Sequence, residues 1–558
     1  MIQTIRKSKY HIVFGLLLIL GTIELVAKSR YGFGDVDEPF YLSVPYRMVN
    51  GDALFLHEWN LSQMTAILQY PFMKIYMMLH GTSEGILLSF RHIYIVAQVL
   101  ISILFYCLIK KYSHVAAIVY SIAFLLYSPL NIMALSYNTI AIMCMTFVSL
   151  LILEDGKLVR FYIAGILFAC AVLCNPYLVL IYVCFFLAIL FKRNTESRKI
   201  HLKQFGLYTL GCITVLIIWL VAVFSKISLN EFLASLNPIL TGDAGHTSEL
   251  WKKPFTFLLQ VFLVYKLSLI TYFAYLILII LSIRATIQKR NKYTLIALVA
   301  TALNIFFVSD GVRFNYIVNQ FTIPISALGL YLVVVYRDKF DFKIFKRVWL
   351  PGLVYAFTLQ VASDNGIATI TLGGTIMMLA SLIYLADVYK IVKAEGIEKD
   401  KTAFKTIALI LFVCQILFMA VFRWIGIYWD NPIQYQTTLI TEGPEKGIIA
   451  SEEKAKDYET IYSEVKQLDT SRKTLFFTSR TWLYLVDGFE NCSYSSWIWN
   501  ISEETVKRFE AYYEINPDKK PEIVYIDYVN ADLVNSWEDY GYSIKEKTPS
   551  GGYVLEAQ

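Results

Sequence analysis

The chain has 558 residues, of which 57% are hydrophobic, 15% aromatic and only 17% charged. This composition excludes a soluble cytosolic enzyme, a disordered scaffold and a nucleic-acid-binding protein, because those classes carry far more polar surface. Residues 1–422 hold 36 Lys and Arg against 21 Asp and Glu, whereas residues 423–558 hold 14 against 23. We therefore predict a basic, apolar membrane domain over 1–422 and an acidic, water-soluble domain over 423–558, here called the tail.

Apolar runs long enough to cross a bilayer recur along the first of these domains. A bilayer core about 30 Å thick requires roughly 20 apolar residues per helix. Residues 161–191 contain Asn175-Pro176 and fit either two short helices or one long helix. Taking them as two, we predict thirteen spans, near residues 11–27, 86–109, 114–134, 138–153, 161–175, 177–191, 205–224, 255–283, 294–308, 316–336, 348–363, 367–389 and 404–422.

The positive charges decide the predicted orientation. Lys and Arg in short loops are retained on the cytoplasmic side. Thirteen spans with a cytoplasmic N-terminus place the basic loop 192–203 inside, whereas one long helix over 161–191 would place it outside. We therefore favour two helices, which makes the tail extracytoplasmic. Residues 25–28 lack a small-residue cleavage site, so the first span is predicted to remain as an anchor.

Three predicted outer segments are longer than a turn: residues 28–85, here called the first loop, residues 225–254, and the tail. Apolar side chains recur through residues 55–77 at near-helical spacing, which predicts amphipathic helices lying along the membrane interface. In the tail, β-rich runs predict strands and charge spacing predicts helices, so that we expect a small α/β domain. The predicted strands are Thr474–Thr478 and Glu522–Asp527, and the predicted helices are 451–468 and 502–514.

Three carboxylates, Asp35, Asp37 and Glu38, lie within four positions directly after the first span. Neighbouring carboxylates repel one another, and a partly desolvated carboxylate is suited to act as a general base. A simpler interpretation is that Asp37 or Glu38 caps a helix that begins at Pro39. The acidic cluster alone leaves both interpretations open.

The residues around this cluster resemble a known family. Asp37-Glu38-Pro-Phe-Tyr41, followed by Arg47-Met-Val-Asn-Gly-Asp52, is similar to the first outer loop of the GT-C glycosyltransferases, in the branch of the protein O-mannosyltransferases and the lipid A aminoarabinose transferases. Later motifs of the family are similar to Arg160-Phe-Tyr-Ile-Ala-Gly165 with Leu173-Cys-Asn-Pro176, and to Arg313-Phe-Asn-Tyr316 with Pro324. The resemblance covers residues 1–422 in order.

The resemblance implies a transferase in a membrane, and favours the bacterial plasma membrane. Its donor is a polyprenyl-phosphate-linked sugar, its acceptor an extracytoplasmic glycan, lipid or protein, and the transfer inverts the anomeric carbon. By the same resemblance, Asp37 is the general base on the acceptor hydroxyl, and Glu38 is its orienting partner or an acceptor ligand. The leaving phosphate requires positive charge, which a guanidinium fork supplies well. Our candidates for binding the donor phosphate are Arg313, Lys266, Arg91 and Lys74.

Each of these cations also has a plain structural interpretation. Arg313 fits an ordinary interfacial arginine, and Lys74 and Arg91 fit side chains that extend to the membrane surface. Lys266 lies within the predicted span 255–283, where a lysine is expected to face the protein interior.

No complete metal site is visible in the sequence. His57-Glu58 and Asp243 with His246 supply two ligands each, which is too few. Where the aminoarabinose transferases carry a second acid in the first loop, this chain has Gln69. We therefore favour chemistry without a metal or another cofactor. The alternatives are a transporter or a flippase for lipid-linked sugars, for which no internal repeat is visible, and an assembly protein that binds partners through the first loop and the tail.

Overall fold

The computed structural model describes residues 2–154, 157–241, 251–263, 266–307, 321–363, 367–395, 398–498 and 501–558. The protein is mainly helical, with a small sheet region near its C-terminal end. A helical turn at Phe342–Ile344 and a π-helical turn at Phe345–Trp349 precede the helix that begins at Leu350. The helices before residue 426 are α1 (Ile2–Lys28), α2 (Asp37–Val49), α3 (Ala66–His80), α4 (Ile86–Ile109), α5 (His114–Leu126), α6 (Tyr137–Leu153), α7 (Val159–Cys174), α8 (Val179–Leu190), α9 (Thr195–Phe224), α10 (Leu229–Thr241), α11 (Lys253–Leu263), α12 (Lys266–Ser282), α13 (Ile287–Phe307), α14 (Thr322–Val335), α15 (Leu350–Ser363), α16 (Ile367–Ala394) and α17 (Glu398–Ile425).

Within the described residues, five helices are long and apolar enough to cross a membrane. They are Ser8–Lys28, Ile86–Ile109, Thr195–Phe224, Ile370–Ala394 and Lys399–Ile425. Large apolar side chains remain exposed on these helices, for example Leu20 in α1, Ile217 in α9 and Leu417 in α17. Exposed apolar faces of this extent indicate contact with lipid rather than with water. Most of the other predicted spans coincide with shorter apolar helices.

The segment 161–191 is interrupted. Helix α7 ends at Cys174, Asn175 has an extended backbone, and Pro176 begins a 3-10 turn that leads into α8. One continuous helix is therefore excluded. Helix α7 also packs closely against α9, because a Cβ atom at Gly165 would lie only 1.9 Å from the carbonyl oxygen of Tyr208. A larger residue at Gly165 would force the two helices apart.

The first loop only partly fits the prediction of interfacial helices. Helix α2 is buried from Glu38 to Arg47, and residues 51–60 form turns with buried aromatic side chains. Helix α3 alone has the predicted character, since it buries Ala66, Gln69, Met73 and Tyr76 and exposes Phe72, Ile75, Met78 and Leu79. The prediction is wrong for the rest of the loop because the tail, distant in sequence, covers that part.

Over residues 423–498 and 501–558, the tail contains three α-helices and two small sheets. The helices are α18 (Glu452–Val465), α19 (Glu503–Ile515) and α20 (Val534–Asp539), and the strands are β1 (Thr438–Leu439), β2 (Ile449–Ala450), β3 (Thr474–Phe477), β4 (Ile523–Ile526), β5 (Tyr542–Lys547) and β6 (Tyr553–Ala557).

Strands β1 and β2 pair antiparallel, and the larger sheet has the order β3-β4-β6-β5. In that sheet β3 runs parallel to β4, with Thr474 opposite Ile523, and the other neighbours are antiparallel. The predicted strands correspond to β3 and β4 and the predicted helices to α18 and α19, whereas β5 and β6 were not predicted.

The first loop and the tail pack as one unit. One shared apolar cluster joins Phe40 and Trp59 of the first loop to Phe477 and Trp537 of the tail. A second cluster joins the first loop and the start of α4 to β3, β4 and α18. Main-chain hydrogen bonds reinforce the contact: the Trp59 amide donates to the Tyr494 carbonyl at 2.7 Å, the Gly32 amide to the Ile449 carbonyl at 2.8 Å, and the Thr481 amide to the Asp35 carbonyl at 2.9 Å.

Candidate functional site

The acidic cluster lies at the start of α2. The helix begins at Asp37, and Val36 occupies the N-cap position without a side-chain hydrogen bond. Asp37 and Glu38 therefore lie in the first helical turn, where the helix dipole favours negative charge, and neither is the N-cap residue. Their contacts with distant parts of the chain distinguish them.

Two donors hold the carboxylate of Asp37. The hydroxyl of Tyr428 donates to its Oδ2, and Nε1 of Trp497 donates to its Oδ1 at 3.2 Å. Tyr428 follows the end of α17 and Trp497 belongs to the tail, so three separate segments meet at this side chain. Asp37 remains partly exposed. A carboxylate that is fixed in orientation and still accessible is suited to accept a proton from a bound group.

Glu38 has a different environment. It is buried and forms a two-point ion pair with Arg91 of α4, at 2.7 Å from Nε and 2.6 Å from Nη2. The same guanidinium donates to the carbonyls of Ser29 at 2.6 Å and Gly32 at 2.7 Å. We call this set the Arg91 clamp. It ties the end of α1, the start of α2 and α4 together, and so fixes the turn that carries Asp37.

A second buried set of charges joins the first loop to the tail. Arg47 donates to Asp52 at 2.7 Å and to Glu58 at 2.7 Å. Lys519 of the tail donates to the other oxygen of Asp52 at 2.8 Å, and the amide of Ser496 donates to Glu58 at 3.2 Å. We call Arg47, Asp52, Glu58 and Lys519 the Arg47 cluster. It binds the two regions through charges that are each less than 10% exposed.

The protonation states in this cluster follow from its geometry. Burial alone would raise the pKa of Asp52, but Arg47 and Lys519 outweigh burial and lower the pKa below its ordinary value. Burial lowers the pKa of His57, which favours the neutral imidazole. The His57 Nδ1 atom accepts from the Ala53 amide at 3.0 Å.

Two residue pairs carry side chains that can ligate a metal ion: His57 with Glu58, and Asp243 with His246. In the structure Glu58 is engaged by Arg47, and across the described ranges no group of three or more potential ligands is arranged around a common point. Asp243 and His246 lie outside the described residues.

The wall of a polar cavity of about 680 Å³ includes sequence neighbours of Asp37 and Tyr428. Asp35 precedes Asp37 by two positions, and Trp429 follows Tyr428 directly, so the chain on both sides of the Asp37–Tyr428 contact continues into the cavity wall. We call this space the junction cavity. Its lining residues are Asp35, Trp429, Asp430, Asn431, Ser451, Glu453, Lys454, Asp457, Arg480 and Tyr528.

The carboxylates around the junction cavity are more exposed than those of the Arg47 cluster, and their pairing distances vary. Lys454 lies 3.3 Å from Asp35, and Arg480 lies 2.6 Å from Asp457 and 3.9 Å from Asp35. Burial raises the pKa of Asp430 above its ordinary value. Asp35 and Asp457 are about a third exposed, which leaves their carboxylates within reach of a solute.

The predicted phosphate ligands lie in different places. Arg91 belongs to the Arg91 clamp, with its guanidinium bound to Glu38 and to carbonyls. Lys74 lies on the exposed face of α3, where its ammonium is 5.7 Å from the centre of the Tyr70 ring. Lys266 begins α12, but its side chain lies outside the described part of the structure, as does all of Arg313. The structure thus brings Asp37, Glu38 and Arg91 together. Because the Arg91 guanidinium is buried and bound within the protein, only Arg313, Lys266 and Lys74 are kept as predicted phosphate ligands.

Sequence reasoning did not find several residues of this site. Tyr428, Trp429 and Lys454 are far from Asp37 in sequence and belong to no motif. The one available signal was the aromatic segment that follows α17, since aromatic residues are enriched where helices leave a membrane. No family model matches the chain, and no curated protein matches it.

Proposed function

We propose that this protein is a membrane glycosyltransferase in which Asp37 is the general base. It transfers a sugar from a polyprenyl-phosphate donor to a hydroxyl group of an acceptor, with inversion at the anomeric carbon. The observation that supports this most strongly is the environment of Asp37: a partly exposed carboxylate is oriented by Tyr428, which follows an apolar helix, and by Trp497 of the tail, and its neighbour Asp35 lines a polar cavity. A lipid-linked donor and a water-soluble acceptor would meet at such a place.

The chemical step requires two events at one carbon. As the acceptor oxygen forms its bond to the anomeric carbon, its proton passes to Asp37. The bond from that carbon to the phosphate oxygen breaks on the opposite face, and the electron pair leaves with polyprenyl phosphate. Removal of a proton by a positioned carboxylate typically accelerates such a step by about 10²–10⁴-fold. Positive charge near the phosphate stabilises the leaving group, and Arg313, Lys266 and Lys74 remain our candidates for it.

Glu38 and Arg91 have a positioning role in this proposal. Their ion pair fixes the first turn of α2, so that the Asp37 carboxylate is presented in one orientation. The proposal further includes thirteen spans, a cytoplasmic N-terminus, an extracytoplasmic tail and a bacterial plasma membrane, as the sequence predicts. The chemistry proposed for Asp37 itself requires no metal or other cofactor.

The test is sugar transfer in membranes that contain either wild-type protein or Asp37→Asn. Membranes receive a panel of radiolabelled polyprenyl-phosphate sugars and the surface acceptors of the host. We expect transfer by the wild type and a loss of at least about 100-fold in Asp37→Asn, at equal expression. Asp532→Asn, a matched change at an exposed residue of the tail, should transfer at the wild-type rate.

Two outcomes would contradict the proposal. Transfer by Asp37→Asn at the wild-type rate would remove Asp37 from the reaction. If neither protein transfers sugar while lipid-linked sugar crosses the bilayer in reconstituted vesicles, the alternative function of a flippase or transporter is correct.

A further inference from the structure

We propose that the junction cavity binds a saccharide that is uncharged or carries amino groups, and that this saccharide is the acceptor of the reaction. Its role as acceptor rests on the proposed function, whereas the binding of a saccharide does not. The volume of about 680 Å³ lies within the range of roughly 300–1,000 Å³ that is usual for ligand sites. Its wall is mostly polar, which indicates a ligand rich in hydroxyl groups rather than an apolar one.

Two aromatic side chains in the wall have exposed faces. Trp429 is 52% exposed, and Tyr528 is 41% exposed, with the Arg480 guanidinium over one face of its ring at 5.4 Å from the ring centre. Large aromatic rings with a polar edge are well suited to cover the apolar face of a sugar ring while the sugar's hydroxyls reach other partners. Trp429 also has a backbone φ of 52°, a left-handed conformation that is unfavourable for a bulky residue. Such a conformation persists only where surrounding contacts impose it, and these positions cluster at functional sites.

The charged groups between these rings alternate in sign. Lys454 is paired with Asp35, and Arg480 with Asp457, whereas Asp430 and Glu453 add further carboxyl groups. Neighbouring donors and acceptors of this kind match adjacent hydroxyl groups, which both donate and accept hydrogen bonds. Carboxyl groups outnumber cations in the wall, so polyanionic ligands such as nucleotides or phosphate headgroups are disfavoured. An amino group on the sugar would be tolerated or favoured.

The segments that line the cavity also lead to Asp37. Asp35 and Trp429 belong to the cavity wall and are near neighbours in sequence of the hydrogen-bonded pair Asp37 and Tyr428. A saccharide held in the cavity would therefore place its end close to the Asp37 carboxylate. Most of the wall comes from the tail, which gives the tail a direct part in recognising the acceptor.

The experiment measures saccharide binding to the full-length protein in lipid nanodiscs by biolayer interferometry. The immobilised probes are hexasaccharides of mannose, galactose, N-acetylglucosamine and glucosamine, with a hexamer of galacturonic acid as the anionic control. We expect at least one neutral or amino-bearing hexasaccharide to bind and the anionic one not to bind. The saccharide that binds is then compared in free form and attached to a polyprenyl chain. Equal affinity indicates a soluble or protein-borne acceptor, and higher affinity of the attached form indicates a lipid-borne acceptor.

The decisive variants are Trp429→Gly and Tyr528→Ala. Glycine is used because it accepts the left-handed backbone at position 429 without strain. Each should weaken binding by about tenfold or more, because an exposed stacking surface is lost. Trp429→Phe should restore most of the affinity. Tyr435→Ala is the matched control, since Tyr435 is exposed but does not line the cavity. Equal elution in size-exclusion chromatography verifies the fold.

The proposal is overturned if no hexasaccharide binds, or if binding is unchanged in both Trp429→Gly and Tyr528→Ala. Failure of the transferase proposal can be distinguished from failure of the cavity proposal. If a saccharide binds in the cavity but the wild type transfers no sugar, the binding site stands and the transferase function fails. If transfer occurs with unchanged KM for the acceptor in both Trp429→Gly and Tyr528→Ala, the transferase function stands and the cavity is not the acceptor site.

Discussion

The Arg47 cluster and the junction cavity both lie where the first loop meets the tail, and both contain charges of alternating sign. They differ in the burial of their carboxylates: the side chains of Asp52 and Glu58 are 9% and 2% exposed, whereas those of Asp35 and Asp457 are 30% and 27% exposed. The comparison teaches that charges of the first kind hold the two regions together, while charges of the second kind are able to exchange partners for a ligand.

This difference has an energetic basis. Removing one member of a buried ion pair leaves the other desolvated and uncompensated, which costs about 3–5 kcal/mol. A solvent-exposed pair contributes only about 0–1 kcal/mol. The two regions should therefore respond very differently to the loss of one charge.

The largest effect is expected for Arg47→Met, which leaves Glu58 buried without its guanidinium partner. We expect a loss of about 3–5 kcal/mol in the free energy of unfolding, seen as a lower midpoint in guanidinium denaturation of the purified protein. Proteases should also cleave the first loop and the tail faster, because the contact between these two regions is weakened.

The double variant Arg47→Met with Glu58→Met is the control for this prediction. Replacing both charges by apolar groups of similar size removes the uncompensated charge, so part of the lost stability should return. A double variant less stable than the sum of the two single changes would contradict the proposed role of the cluster.

A somewhat smaller effect is expected for Arg91→Met in the Arg91 clamp. The change leaves Glu38 and two carbonyls without their donor, at a cost of about 2–4 kcal/mol. It should also lower sugar transfer, because the turn that carries Asp37 loses its restraint. The measurement is transfer per folded molecule, with Lys446→Met as a control that removes an exposed cation beside the start of the same helix. Equal loss in both variants would indicate a general effect of charge rather than positioning.

A third prediction concerns Glu445, a fully buried residue in the turn before β2. In the described part of the chain neither of its carboxyl oxygens has a hydrogen-bond partner, and burial together with Glu38 raises its pKa well above the ordinary 4.5. A raised carboxyl pKa stabilises the fold below pH 4.5 and loses that contribution as pH rises toward the folded value. Glu445→Gln should therefore raise the melting temperature by a few degrees at pH 7.5, with a gain that shrinks toward pH 4.5.

Asp52 in the Arg47 cluster supplies the opposite case. Its pKa is lowered because Arg47 and Lys519 outweigh burial, so its contribution to stability is present at neutral pH and is lost as pH falls. Asp52→Asn should lower the melting temperature at pH 7.5 and have less effect at low pH. If both variants shift the melting temperature in the same direction at pH 7.5, the contrast between a paired and an unpaired buried carboxyl is wrong.

The sequence predicted those parts of the structure that depend on neighbouring residues. Apolar runs placed most of the helices, and β-rich runs placed β3 and β4. The edge strand β5 was missed because all of its residues after Tyr542 are exposed. Its sequence therefore lacks the sustained alternation of apolar and polar residues that marks a half-buried strand. The approach of the tail to the first loop could not be predicted, because no local pattern encodes which distant surface covers Trp59. For the same reason Asp37 was found as a candidate, whereas its partner Tyr428 was not.

The smallest effect on stability, and the sharpest test of the comparison, is expected for Lys454→Gln at the junction cavity. Its pair with Asp35 is partly exposed, so the free energy of unfolding should change by no more than about 1 kcal/mol. Saccharide binding should nevertheless weaken severalfold, because a donor in the wall is replaced by a shorter, neutral one. Lys446 is an exposed cation of the tail that pairs with Glu84 of the first loop and does not line the cavity. Lys446→Gln should change neither the free energy of unfolding nor saccharide binding. A loss of stability in Lys454→Gln as large as that in Arg47→Met would mean that the cavity charges hold the fold, and the distinction between the two regions would fail.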